Sequence, residues 1–106
     1  MFRGTTPDLV INVGDIDMSH VTELWLTLSQ YGTVKITKTL DDVTVDGSTV
    51  SCTLTQEETL SLKASPSTVM QMRFLMDDGQ AMATPIVKVP VEAILKDGVI
   101  GETEEP

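Results

Sequence analysis

Two stretches written in a two-residue rhythm, Ser48–Leu54 and Val69–Met76, constrain this chain more than anything else in it. In the first, Val50, Cys52 and Leu54 fall on one side and Ser51 and Thr53 on the other, the pattern of a strand with one face in a core and one in water. In the second, Met70, Met72, Phe74 and Met76 share a face, while Gln71 and Arg73 interrupt the opposite one. Val69 and Leu75 also lie on that opposite face, so it is expected to be partly covered. Between the two stretches, Thr55-Gln-Glu-Glu58 places a hydroxyl three residues before a carboxylate, the spacing at which each side chain caps the other's backbone N–H. One short helical turn near 55–59 follows, and no more, because Leu60 and Leu62 return to alternation. Pro66, in Ala64-Ser-Pro-Ser67, cannot donate to a ladder and breaks the chain before the second stretch.

The remaining segments fall into line with these two. Leu9, Ile11 and Val13 alternate with Asp8, Val10 and Asn12 in a strand that begins after Pro7 and stops at Gly14. Gly14 to His20 reads as a loop of polar turn formers. Leu24, Leu26 and Leu28 alternate with Trp25, Thr27 and Ser29, and Tyr31-Gly32 is a tight turn into a third strand, Val34 to Leu40, which makes a hairpin. Asp41-Asp42 turns the chain and Val43 to Val45 is brief. Asp46-Gly47 and Asp77-Asp-Gly79 signal further hairpins, the second returning through Gln80 to Val91. Pro85 and Pro90 place that returning segment at a sheet edge or split it at a bulge. Glu92 to Leu95 reads as a closing turn or the end of the last strand. Short, evenly spaced turn signals with almost no helical period predict an all-β chain. The form expected is an antiparallel, immunoglobulin-like β-sandwich of about seven strands, with an open barrel as the alternative.

With 106 residues there is room for one domain, expected at 1–100, followed by an acidic disordered tail at 101–106 that has no apolar anchor. Hydrophobic residues are 41% of the chain and aromatics 4%, so Val, Ile, Leu and the six methionines must build the core. A net charge of -9, with the seven basic residues scattered, opposes binding to nucleic acid or to an anionic membrane surface, since both need clustered Lys and Arg. The single Cys52 makes no internal disulfide, and the opening residues lack an apolar signal segment. The expected place is the cytoplasm, unless the chain is carried out as part of a particle.

Catalytic motifs are sparse. Cys52 sits on an apolar strand face with nothing beside it in sequence to lower its pKa, and reads as a buried structural thiol. His20, the only histidine, adjoins Ser19 without a Gly-x-Ser-x-Gly turn and reads as a solvated loop residue. The pairs Asp15 with Asp17, Asp41 with Asp42 and Asp46, and Asp77 with Asp78 are residue types that calcium uses in loops. They are also the residues turns use for their own hydrogen bonds, and none has the EF-hand spacing. The reading is therefore no enzyme, no catalytic or metal residues and no cofactor. Trp25 is singled out for binding: if Leu24, Leu26 and Leu28 face the core, it faces outward, or lies under the chain ends. Tyr31, at a turn tip, is the second candidate interaction residue.

The order of motifs carries a resemblance. Met1-Phe-Arg-Gly-Thr-Thr-Pro7, Leu28-Ser-Gln-Tyr-Gly32, Leu54-Thr-Gln-Glu-Glu-Thr-Leu60, Met72-Arg73 before Asp78-Gly79, and Ile94-Leu-Lys-Asp-Gly-Val-Ile100 run along nearly the whole chain. Together they resemble the small β-sandwich proteins of bacteriophage and prophage structural gene modules, and more loosely the N-terminal domain of phage upper baseplate proteins. The resemblance implies a non-enzymatic structural or assembly module, associated with a virion, tail or baseplate. It would act through contacts with other phage structural proteins or with itself. A calcium- or carbohydrate-binding sandwich, using Asp41, Asp42 and Asp46 or Trp25 as a sugar platform, is the alternative.

Overall fold

A computed structural model describes residues 1–101; of the acidic tail expected at 101–106, residues 102–106 lie outside the described residues. Eight strands form among the described residues: β1 (Asp8–Asn12), β2 (Val21–Gln30), β3 (Thr33–Thr39), β4 (Thr44–Asp46), β5 (Thr49–Thr53), β6 (Val69–Met76), β7 (Ala81–Ala83) and β8 (Val87–Lys88). Helix α1 (Gln56–Leu60) separates β5 from β6, and single 3₁₀ turns lie at Met18–His20 and Leu40–Asp42. Every strand pairing is antiparallel. One sheet runs β1-β5-β4, and the other runs β3-β2-β6 with β7 and β8 one after the other along the far side of β6. Packed face to face, the two sheets make the expected antiparallel all-β sandwich. Because β7 and β8 are one edge strand interrupted around Pro85, the eight strands fill seven positions.

The two-residue rhythm decides which side chains meet between the sheets. Leu24, Leu26 and Leu28 of β2 and Met72 and Phe74 of β6 are buried, and they cluster with Leu9, Val50 and Cys52 of the smaller sheet and with Leu54 just beyond β5. Met70 and Met76, nearer the ends of β6, are half-buried, as are Val69 and Leu75 on its outer side. The capping box expected at Thr55 forms: the Glu58 N–H donates to the Thr55 hydroxyl at 3.1 Å, and the Thr55 N–H donates to Glu58 Oε1 at 2.9 Å. Tyr31 and Gly32 both have positive φ, 52° and 78°, as a two-residue primed turn between Gln30 and Thr33 requires.

Two buried residues close the ends of the sandwich, and neither belongs to the apolar rhythm of the sequence. Met18, within the stretch expected to be a polar loop, has no exposed surface. Its N–H donates to the Gly47 carbonyl at 2.8 Å, while Asp17 caps the 3₁₀ turn from outside. Gln30, 1% exposed, reaches into the 63–68 segment, where its amide donates to the Lys63 carbonyl at 2.7 Å and to Thr68 Oγ1 at 2.9 Å. Its Oε1 accepts the Lys63 N–H at 3.0 Å, so all three polar contacts of this buried amide are internal.

The chain ends are held away from the sheet faces. The Phe2 and Glu92 backbones make a parallel bridge, and Arg3 donates to the carbonyls of Leu62 at 2.6 Å and Leu60 at 2.9 Å and pairs with Asp97 at 2.6 Å. Gln56 exchanges two hydrogen bonds with the Ile100 backbone. Among the described residues, the ends therefore sit against α1 and leave the outer face of the larger sheet open. No helix among the described residues is long and apolar enough to cross a membrane.

Candidate interaction surface

Because β2 turns its leucines inward, Trp25 must point out of the larger sheet, and it is 47% exposed. Register then selects its neighbours. Trp25 lies opposite Arg73 on β6 and Thr39 on β3, and Arg73 in turn lies opposite Ala83 on β7. The Arg73 guanidinium carbon sits 5.5 Å from the Trp25 ring centroid. That is within cation–π range, worth about 0.5–1 kcal/mol at an exposed site. Beside this pair runs a shallow groove of about 210 Å³ bounded by Glu23, Trp25, Arg73, Leu75, Ala81 and Met82. The surface thus offers an aromatic ring, aliphatic side chains, one cation and one anion. Arg73 was visible in the sequence as an outward residue of its strand; its meeting with Trp25 depends on the β2–β6 register.

Tyr31 is also exposed, at 72%, but it occupies the hairpin tip. It lies six positions along the chain from Trp25, roughly 20 Å of extended strand, so the two do not form one patch.

One carboxylate of each loop group is engaged in a local turn. Asp17 accepts the Ser19 N–H at 3.0 Å, Asp42 accepts the Thr39 N–H at 2.9 Å, and Asp78 accepts the Gln80 N–H at 2.9 Å. The backbone donors hold the Asp17 and Asp42 carboxyls below the usual range. Among the described residues, no three His, Cys, Asp or Glu side chains are placed to hold a metal ion. His20 has Asp77 at 3.1 Å from Nδ1 and Asp17 at 3.8 Å from Nε2, so both ring nitrogens face carboxylates. Cys52 is buried against Leu9, and burial pushes its thiol pKa up, opposite to what a reactive cysteine needs.

One ion pair lies under the surface. Lys38, on the inner side of edge strand β3, reaches Glu58 of α1 at 2.5 Å, and both side chains are largely covered. Burial raises the Glu58 carboxyl, but the Lys38 ammonium and the Thr55 N–H outweigh it, and the net pKa lies below the ordinary value. A carboxyl depressed by folding adds stability above its unfolded pKa and loses it as pH falls through the folded value. The melting temperature is therefore expected to hold above about pH 5 and to fall progressively below about pH 4. Glu58→Gln should start lower by a few degrees and fall less steeply; acid titration followed by circular dichroism reads both.

No family model matches this chain, and none of the curated proteins searched matches it.

Proposed function

We propose that this chain is a non-enzymatic structural or assembly module of phage or prophage origin, and that it engages a protein partner through the outer face of its larger sheet. The observation that carries the contact is the half-exposed Trp25 with Arg73 over its ring, outside the core and, among the described residues, clear of the chain ends. Tryptophan and arginine are enriched among the residues that dominate the energetics of protein interfaces, because each buries a large planar group and keeps a polar handle. The phage origin is supported by the motif order from Met1-Phe-Arg-Gly-Thr-Thr-Pro7 to Ile94–Ile100.

Trp25 is the only tryptophan, so its fluorescence reports on this face alone. Titration with purified tail or baseplate components is expected to shift its emission to the blue as the ring leaves water. Trp25→Ala should weaken that binding at least tenfold while changing the melting temperature by only a few degrees. Binding that survives the substitution would remove this face from the contact. Failure of every tail and baseplate component to bind the intact protein would remove the assembly reading.

A further inference from the structure

Among the described residues, one edge of the sandwich, β1, is left without protection. In the smaller sheet β1 pairs only with β5, on one side. The Pro7 carbonyl accepts the Leu54 N–H at 3.0 Å and the Val13 N–H donates to the Ser48 carbonyl at 2.9 Å, so the odd residues of this strand point their backbone groups at β5. The N–H and C=O groups of Asp8, Val10 and Asn12 consequently point to the open side, where no strand pairs with them among the described residues.

The other edges carry the features that discourage pairing. Strand β3 bears Lys35 and Lys38, β4 is three residues long and ends in Asp46, and the β7–β8 edge is interrupted at Pro85. Strand β1, Asp8-Leu-Val-Ile-Asn12, has neither lysine nor proline. At its centre Val10 is 64% exposed, the single apolar residue among the outward-facing side chains of the three-stranded sheet. Beside this edge, an apolar groove of about 540 Å³ opens between the sheets, bounded by Ile11, Val13, Met70, Met82 and Val87. Ile86, 62% exposed, follows Pro85 at its rim.

We infer that β1 is the interface of a two-fold homodimer, in which the strand pairs antiparallel with its own copy about Val10 and joins two three-stranded sheets into one of six. The occupant is argued from self-complementarity. A two-fold axis at Val10 sets Val10 against Val10, and Asp8 against Asn12 of the other copy at both ends. The free backbone groups of residues 8, 10 and 12 then exchange roughly six hydrogen bonds.

The side chains are already committed in the right sense. Asp8 Oδ1 accepts the Thr53 hydroxyl, which leaves Oδ2 as an acceptor. Asn12 Oδ1 accepts the Gly14 N–H at 2.8 Å, which leaves the Nδ2 amide as a donor. Each end of the paired strands thus joins an open acceptor to an open donor, with no like charges opposed. This interface is separate from the Trp25 face, and neither depends on the other.

Sedimentation equilibrium of the intact chain over a concentration series is expected to give a reversible approach to twice 11.5 kDa. Association should tighten with added salt, because each copy carries -9. Val10→Lys places a charge on the axis and is expected to leave a folded monomer. Asn12→Asp sets carboxylate against carboxylate and should weaken association at least tenfold. The double change Asp8→Asn with Asn12→Asp recreates the same pairs in reverse and should restore it. A wild type that stays monomeric at every concentration overturns the proposal. So does a dimer indifferent to Val10→Lys, a double variant no better than Asn12→Asp, or an edge that captures only a strand of another protein. Trp25→Ala must leave the dimer intact, which separates failure here from failure of the Trp25 contact.

Discussion

Leu26→Ala is expected to cost about 3–5 kcal/mol of folding stability and to lower the melting temperature by about 10–25 °C. Leu26 has no exposed surface, and it sits on β2, the strand flanked on both sides in the larger sheet, opposite Lys38 on β3 and Met72 on β6. Truncation removes the apolar surface it withdraws from water, and it also leaves a void, because strands fixed by hydrogen bonds on both edges cannot move inward to fill it. A domain of this size has a total stability of about 5–15 kcal/mol, so one such void consumes a large share of it. The matching control is Thr27→Ala, one residue along on the outer face, expected to fall within about 0.5 kcal/mol of the wild type. Urea unfolding followed by circular dichroism measures both. Equal losses for the two variants would mean that the assignment of β2's faces is reversed.

Gln30→Leu is expected to cost about 2–3 kcal/mol although it makes the interior more apolar. Among the described residues, the Gln30 amide is the one side chain that satisfies both the N–H and the carbonyl of Lys63, and it also binds Thr68, whose hydroxyl continues to the Ser65 carbonyl at 3.2 Å. Leucine matches its volume but leaves the Lys63 backbone groups without partners in a part-buried site, and an orphaned polar group costs more than the hydrogen bond contributed. The loss has a local signature that a simple packing defect lacks: hydrogen exchange at the Lys63 amide should speed up well beyond that of the β2 and β6 amides. Unchanged protection at Lys63 would show that the amide is not what holds the 63–68 segment to the sheet.

Much of the architecture was legible because alternation is a local property. Val50, Cys52 and Leu54 could be assigned to the interior from seven residues of sequence, and the hairpins at Tyr31-Gly32 and Asp46-Gly47 follow from turn chemistry confined to two residues each. The capping box at Thr55 and Glu58 was equally local. What escaped were residues whose environment is made by distant segments. Met18 sits among Asp, Ser and His and gives no periodic signal; it is buried because the loop folds back onto Gly47. Gln30 ends a strand as an ordinary polar residue until the 63–68 segment arrives to accept it. Lys38 continues the inward side of β3 and is tolerated there because Glu58, twenty residues later, meets it.

The candidate contact surfaces divide along the same line. That Trp25 points away from Leu24 and Leu26 was fixed by covalent order, since successive side chains of a strand alternate. Its exposure, its stacking with Arg73 and the openness of the β1 edge were decided by register, by strand order and by where the chain ends lie. Those are long-range choices, made when the sheets packed, and no window of neighbouring residues contains them. The amino-acid sequence therefore determined which residues face inward and where the chain turns. The tertiary structure alone decided which outward faces stay uncovered, because that depends on what else in the chain comes to rest against them.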